Sequence, residues 1–340
     1  MFHHLHYSQN NQTWFERRRD SRSATRILFA LTISLMLATQ TGCQIFQRFR
    51  AKPQAPVVFH QAPNQQQVFT HLKTQSEKVK QLKTNVRVSV DGLPTLRGTL
   101  TIERPNRLRL KAGLLGVTEM GVDVGSNDDF FWVWTKTALP GETPTLMYAN
   151  HEAFKNSPVQ KSLPLEPSWI IDALGFVEFG PDEHHEGPFQ RNDGRYEIRS
   201  YRQSPSGPTA RISVIDPKYG WISQQAMYDS TGRRVAYVDS IQHKTYPDLG
   251  ISLPQRFEIH VFQPNGQRMK LVVDADDYTI NSLYGDPEKL WAMPNPQDVP
   301  KVDLSQISGT SIQNSNSGST SQSLQPITNR SSAPNGTWTR

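Results

Sequence analysis

The 340-residue sequence has a single cysteine, Cys43. One thiol excludes an internal disulfide framework and any zinc site built on several cysteines. Apolar residues are scarce at 36%, against 24 prolines, so polar, proline-bearing segments must dilute a globular middle. The apolar run at residues 27–37 falls short of the roughly 20 residues of a membrane span. A basic face is missing too. The 37 Lys+Arg exceed the 31 Asp+Glu, but residues 1–42 hold five arginines against Glu16 and Asp20, which leaves 32 basic and 29 acidic residues. A nucleic-acid partner would call for a basic surface on the body itself, so none is expected.

Catalytic patterns are equally thin. There is no phosphate-cradling glycine loop, and Ser206, in Pro-Ser-Gly-Pro, lacks the strand-to-helix context of a nucleophile elbow. The run Glu183-His184-His185-Glu186 reads as a loop between Pro181 and Gly187-Pro188. Adjacent histidines there do not share one ion as a helical i, i+4 pair does, so no metal and no cofactor is expected. Asp128-Asp129 and Asp276-Asp277 read as turn or strand-end carboxylates. The residues point away from an enzyme; a hydrolase using surface carboxylates such as Asp128 is a distant alternative.

The N-terminus carries Arg17, Arg18, Arg19, Arg22 and Arg26 before the apolar run. A charged segment followed by a short apolar one reads as a secretory signal peptide over residues 1–42, with a short uncleaved anchor as the alternative. The segment Ala38-Thr39-Gln40-Thr41-Gly42-Cys43 resembles the bacterial lipobox, with Gln40 departing from the usual leucine. That resemblance implies lipidation at Cys43, whose attached chains suffice for stable anchoring. Gln44 follows the cysteine where sorting by resemblance favours the outer membrane over the inner. The expected location is the bacterial cell envelope, facing the periplasm.

Residues 43–67, with Pro53, Pro56, Pro63 and a glutamine run, read as a flexible tether. Residues 294–340, rich in Ser, Asn, Gln and Thr, read as a disordered polar tail. Between them, 68–293 has the size of one domain. Val68, Leu72, Val79 and Leu82 recur at helical spacing and predict an amphipathic helix of about four turns. From residue 86 the period becomes two, through 86–90, 99–102, 107–112, 120–124 and 130–134. Residues 151–156 and 168–174 predict short helices, and strands resume from 195 to 275, with Asn265-Gly266 as a hairpin turn. About ten strands and three helices, without strand–helix alternation, predict an α+β, mainly β fold. Its core would be one large, curved antiparallel sheet, an unclosed half-barrel with helices over its concave face.

The order of elements resembles the LolA/LolB-like family of outer-membrane lipoprotein-sorting carriers and receptors. The likeness spans about residues 68–290 and rests on a lipidation signal, an N-terminal amphipathic helix, the run Gly98 to Leu110 containing Arg104-Pro105-Asn106-Arg107-Leu108-Arg109, and the run Gly125 to Trp134. The resemblance implies a non-catalytic protein whose apolar cavity holds acyl chains of a lipid or lipoprotein. Alternating apolar positions nominate Val88, Leu100, Ile102, Leu108, Leu110, Phe130, Trp132, Trp134, Ile222, Tyr237 and Ile259 as its lining, with Val214, Met227, Phe257 and Met269 as further candidates. The same residues would equally fill a packed core. Leu114 and Leu115 sit between glycines in a turn; by resemblance they insert into a membrane or a cargo, and alternatively they tuck under a helix. Expected partners are acyl chains, the membrane through the anchor, and other envelope proteins. The competing class is a structural or scaffolding envelope lipoprotein with a filled interior.

Overall fold

A computed structural model describes residues 55–115, 121–136, 143–162, 168–204, 207–263 and 266–307. The chain divides into units 1–54 and 55–340, and all described residues fall in the second. The leader, Cys43 and the tail beyond 307 lie outside them.

Two antiparallel meanders build one sheet. The first runs β1 (Gln81–Val90), β2 (Leu96–Glu103), β3 (Arg107–Gly113), β4 (Gly121–Ser126), β5 (Phe130–Thr135) and β6 (Thr145–Asn150). The second runs β7 (His184–Gln190), β8 (Tyr196–Ser204), β9 (Gly207–Ile215), β10 (Ile222–Tyr228), β11 (Arg234–Tyr246), β12 (Ile251–Phe262) and β13 (Arg268–Ala275). They join where β1 pairs with β13, from Val86 opposite Ala275 to Val90 opposite Leu271. The two-residue β14 (Thr279–Ile280) also pairs with β1, and β15 (Lys301–Asp303) lies parallel to β6. The fifteen strands do not close, because β15 and β7 end the sheet unpaired with each other. The mainly β, unclosed sheet matches the expectation; the parallel edge strand makes it mixed rather than wholly antiparallel.

Strand β1 shows why the sequence makes this sheet. Leu82, Thr84, Val86 and Val88 are buried while Lys83, Asn85 and Arg87 are exposed, a strict period of two. At the β12–β13 turn Gly266 adopts φ +83°, the left-handed conformation that a tight hairpin demands and a side chain resists.

Among the described residues five helices accompany the sheet: α1 (Gln65–Glu77), α2 (His151–Lys155), α3 (Pro158–Ser162), α4 (Ser168–Ala173) and α5 (Pro287–Trp291). Helix α1 opens on a capping box, in which Asn64 accepts from the Gln67 amide and Gln67 from the Asn64 amide. It buries Val68, Leu72 and Ser76, but it is shorter than expected. Val79 lies beyond its end and Leu82 belongs to β1, because those apolar positions fit both periods and the strand claims them. The Arg104 guanidinium closes the helix, donating to the carbonyls of Ser76 (2.6 Å) and Val79 (3.2 Å).

Residues 294–307 also differ from the expected tail. Val302 sits within β15, and Leu304 packs against the cluster of Phe131, Ala149 and Phe154. An open strand edge at β6 needs covering, and two apolar residues in a polar stretch suffice.

Candidate functional site

Helices α1 and α4 pack on one face of the sheet, here called the inner face. Register fixes which side chains point there, since paired residues share a face. Leu100 pairs with Leu110, Ile102 with Leu108, Leu110 with Val124, Phe257 with Val273 and Ile259 with Leu271. These rows converge on α4, whose Ile170 and Ala173 face them together with Leu174. Between them lies a cavity of about 60 Å³ lined only by apolar side chains. A dry apolar cavity of about 150 Å³ accepts benzene. The space here is smaller, with α4 in place over the apolar rows.

The predicted lining residues divide by face. Val88, Leu100, Ile102, Leu108, Leu110 and Ile259 come together in one inner cluster with Trp169, Ile171 and Leu174. Phe257 and Met227 join it. Ile222 belongs to a second inner cluster under α1, with Val68, Leu72, Ile198 and Ile215. Phe130, Trp132, Trp134 and Tyr237 do not reach the cavity. Arg109 pairs with Gly125 and Gly125 with Trp132, and Arg109 is one step out of phase with Leu108 and Leu110. The inward residues of β5 are Phe131 and Val133, opposite Ser126 and Val124. The parity was misassigned because β5 is aromatic or apolar at five successive positions, so its sequence carries no alternation to read.

Trp132 instead belongs to a buried polar assembly on the outer face. Arg109 grips Asp123 through two hydrogen bonds (3.1 and 2.9 Å), and the Trp132 indole N–H donates to the same carboxylate (3.2 Å). Arg109 is 6% and Asp123 2% exposed. A second arm of Arg109 donates to the carbonyl of Leu290 (2.6 Å) and so pins α5. The indole lies across Gly125, where any Cβ would enter its ring. Tyr237 stacks on His260 at 4.3 Å, with Arg234 over its ring. Arg107 bridges Glu103 (3.0 Å) and Asp128 (2.5 Å); this pairing holds the Asp128 carboxyl below its ordinary value. The arginines that carried the family resemblance are thus structural: one ends α1, one ties β3 to the β4–β5 turn, and one pins α5.

Leu115 is 77% exposed and Leu114 half-buried at the end of β3. Residues 184–190 form an edge strand rather than the expected loop. His185 Nδ1 lies 2.9 Å from Ser200 Oγ and its Nε2 3.2 Å from the Gly180 carbonyl. Among the described residues no three His, Cys, Asp or Glu side chains are placed to hold a metal ion.

Two polar pockets flank the apolar cavity. One, of about 90 Å³, lies on the other side of α4, lined by Trp169 and Asp172 of that helix, Glu183, Ser200, Arg202 and Arg211. Arg211 donates to Asp172 (3.0 Å), to Glu183 (2.8 Å) and to the Glu178 carbonyl (3.0 Å), and Arg202 pairs with Glu183 (2.9 Å). Burial pushes the Asp172 carboxyl up to about 7. The other, of about 70 Å³, is lined by His71, Gln75, Trp221 and His243, and shares Leu174 with the apolar cavity. Tyr219, Trp221 and His243 stack there at 4.6 and 4.2 Å; burial lowers His243 to about 4. The sequence does not single out Asp172 or Arg211, and it presents Glu183 only within the Glu183-His184-His185-Glu186 run. Nominating Val214 as lining turned the wrong face of β9 inward: Val214 pairs with Glu197 and Gln224, whereas Arg211 and Ser213 share the inner face with Ser200, Ile198 and Gln225.

No family model matches the sequence, and no curated protein matches it. Solved structures do. A domain assigned to an outer membrane lipoprotein-sorting protein from Vibrio parahaemolyticus is similar at 11% identity and TM-score 0.42, over 65% of this chain and 94% of its own. A LolA superfamily protein from Nitrosomonas europaea is similar at 13% identity and TM-score 0.41, over 68% and 99%. A DUF1329 family protein from Desulfovibrio piger is similar at 11% identity and TM-score 0.42, over 65% and 93%. The likeness is one of fold.

Proposed function

We propose that this chain is a lipid-anchored, non-catalytic envelope protein that holds an acyl chain of a lipid or lipoprotein between the inner face of its sheet and α4. The observation that carries this reading is the cavity lined only by apolar side chains, covered by a helix of six residues. A short helix is a weak cover, since it is too short to be stable by itself. An entering chain would displace Ile170, Ala173 and Leu174 and take over their contacts with β2, β3, β12 and β13. Affinity would come from buried apolar area, at about 25 cal/mol per Å² before ordering costs. Cys43 would carry the anchor, with the outer membrane as its destination, and Leu115 would touch a membrane or a cargo surface; the expected tether ends before residue 58, because the Val58 amide donates to the Lys218 carbonyl (2.7 Å), Phe59 packs on the α1 cluster and α1 itself begins at Gln65.

The small cavity volume favours a second reading, a scaffold with a filled interior. Leu110→Asp separates the two. It puts a carboxylate on the cavity wall, where an unpaired charge is strongly disfavoured. The carrier reading predicts loss of co-purifying lipid from a variant that still melts cooperatively. Unchanged lipid content in that folded variant refutes it.

A further inference from the structure

The inference drawn here rests on the acyl-binding reading and concerns the polar side of α4. We propose that the pocket beside Arg211 receives the oxyanion of an acyl lipid, carboxylate or phosphate, which takes Arg211 from Asp172 and so frees α4 from the apolar cavity.

Two buried donors in this pocket lack partners: the Trp169 indole Nε1 and the Arg211 Nε. Trp169 is 5% and Arg211 7% exposed. Both groups can only donate, and buried donors left unmet are costly, so the missing atom is an acceptor. Two further polar groups on the same inner face are also unmet. Ser213 and Gln225 stand directly opposite each other in the β9–β10 register, and the Ser213 hydroxyl and both amide atoms of Gln225 are buried without partners. The sheet beneath α1 and α4 therefore carries a polar strip leading to Arg211, two residues from Ser213 on the same face.

The charges fit an anion. Arg202 and Arg211 face Glu183 and Asp172. Burial places Asp172 on the edge of protonation at neutral pH, and with that carboxyl neutral the group carries one net positive charge. A carboxylate or phosphate is a better guanidinium partner than a carboxylic acid. Asp172 is also the attachment that makes the proposal mechanical. Trp169 and Asp172, three residues apart, face the polar pocket, while Ile170 and Ala173, also three apart, face the apolar cavity. Loss of the Asp172–Arg211 contact would loosen the side of α4 that holds the other side in place. Headgroup capture and chain entry are then one event.

The test compares ligands that share a chain, titrated into the full protein: dodecanoate, dodecyl phosphate and dodecanol, with inorganic phosphate as the free ion. Both anionic ligands should bind about tenfold tighter than dodecanol, the worth of one charge-assisted hydrogen bond, and inorganic phosphate should compete only weakly. Trp169→Phe keeps an aromatic ring in the inner cluster and removes one donor, and should reduce that preference severalfold. Asp172→Asn removes the competing carboxylate without removing Arg211, and should increase it. A preference for dodecanoate alone or for dodecyl phosphate alone identifies the headgroup. Equal affinity for dodecanol and the anions would overturn the headgroup site, with water meeting the two donors, while leaving the acyl reading intact. Binding of none of the chains would overturn the acyl reading itself.

Discussion

Truncating the cover of the apolar cavity should strengthen ligand binding, although it removes a core contact. In Ile170→Ala about three carbons leave a side chain that packs against Leu110, Phe257 and their neighbours. At about 0.8 kcal/mol per buried methylene, full burial of those carbons would be worth about 2.4 kcal/mol. Ile170 is only partly buried, which reduces this to about 1.5–2.2 kcal/mol. The whole of that difference falls on the closed arrangement, because the side chain leaves the cavity when a ligand enters. Apparent affinity is the intrinsic affinity scaled by the population of the binding-competent state. A shift of about 1.5–2.2 kcal/mol therefore gives an apparent Kd about 10- to 40-fold tighter for dodecanol, a ligand without an ionic headgroup. Titration calorimetry on both proteins measures it, with circular dichroism as a check on folding. A folded variant that binds dodecanol no better, or worse, would show that α4 is a permanent part of the core and refute the displacement argument.

Three further outcomes follow from the geometry. Asp123→Ala strands the Arg109 guanidinium in a buried site and should cost about 3–5 kcal/mol in chemical denaturation; a loss under 1 kcal/mol would mean that the outer-face assembly is hydrated. For His243, burial lowers the folded value to about 4, so the unfolded chain takes up a proton first as the pH falls below about 6.5. Stability is thus lost between about pH 6.5 and 4, by about 3 kcal/mol, and His243→Phe, which keeps the stack on Trp221, should abolish that loss in denaturation midpoints measured across the window. Leu115→Ser should change stability by less than about 0.5 kcal/mol, yet weaken attachment of the protein to vesicles or to its cargo in flotation assays; unchanged flotation would remove this leucine from the contact.

The sheet was legible wherever one face is wet. In β1 the exposed Lys83, Asn85 and Arg87 mark the buried Leu82, Val86 and Val88 as their complement, and the same logic found Leu100, Leu108, Leu110 and Ile259. It failed in β5, where polar residues do not interrupt Phe130 to Trp134 and both faces are covered. On the outer face Trp132 is held by a charge pair that comes from two other strands, and neither spacing nor composition announces that pairing. Helix α4 was visible from Trp169, Ile170, Ile171 and Leu174, with Gly175 ending it at φ +94°. Its two-sided character was not, because Asp172 gains meaning only from Arg211, 39 residues away in sequence and 3.0 Å away in space. The parallel strand β15 escaped notice for a related reason: three residues in a polar stretch have no period, and what makes them a strand is the open edge of β6.

Native mass spectrometry of the full chain, with lipid extraction from the same sample, tests the central claim most directly. The account predicts one acyl-bearing lipid or lipoprotein per chain, either co-purified or taken up on addition, and its loss in Leu110→Asp. A protein that emerges empty and rejects every added lipid would contradict it, and would leave a scaffold whose interior is filled by its own α4.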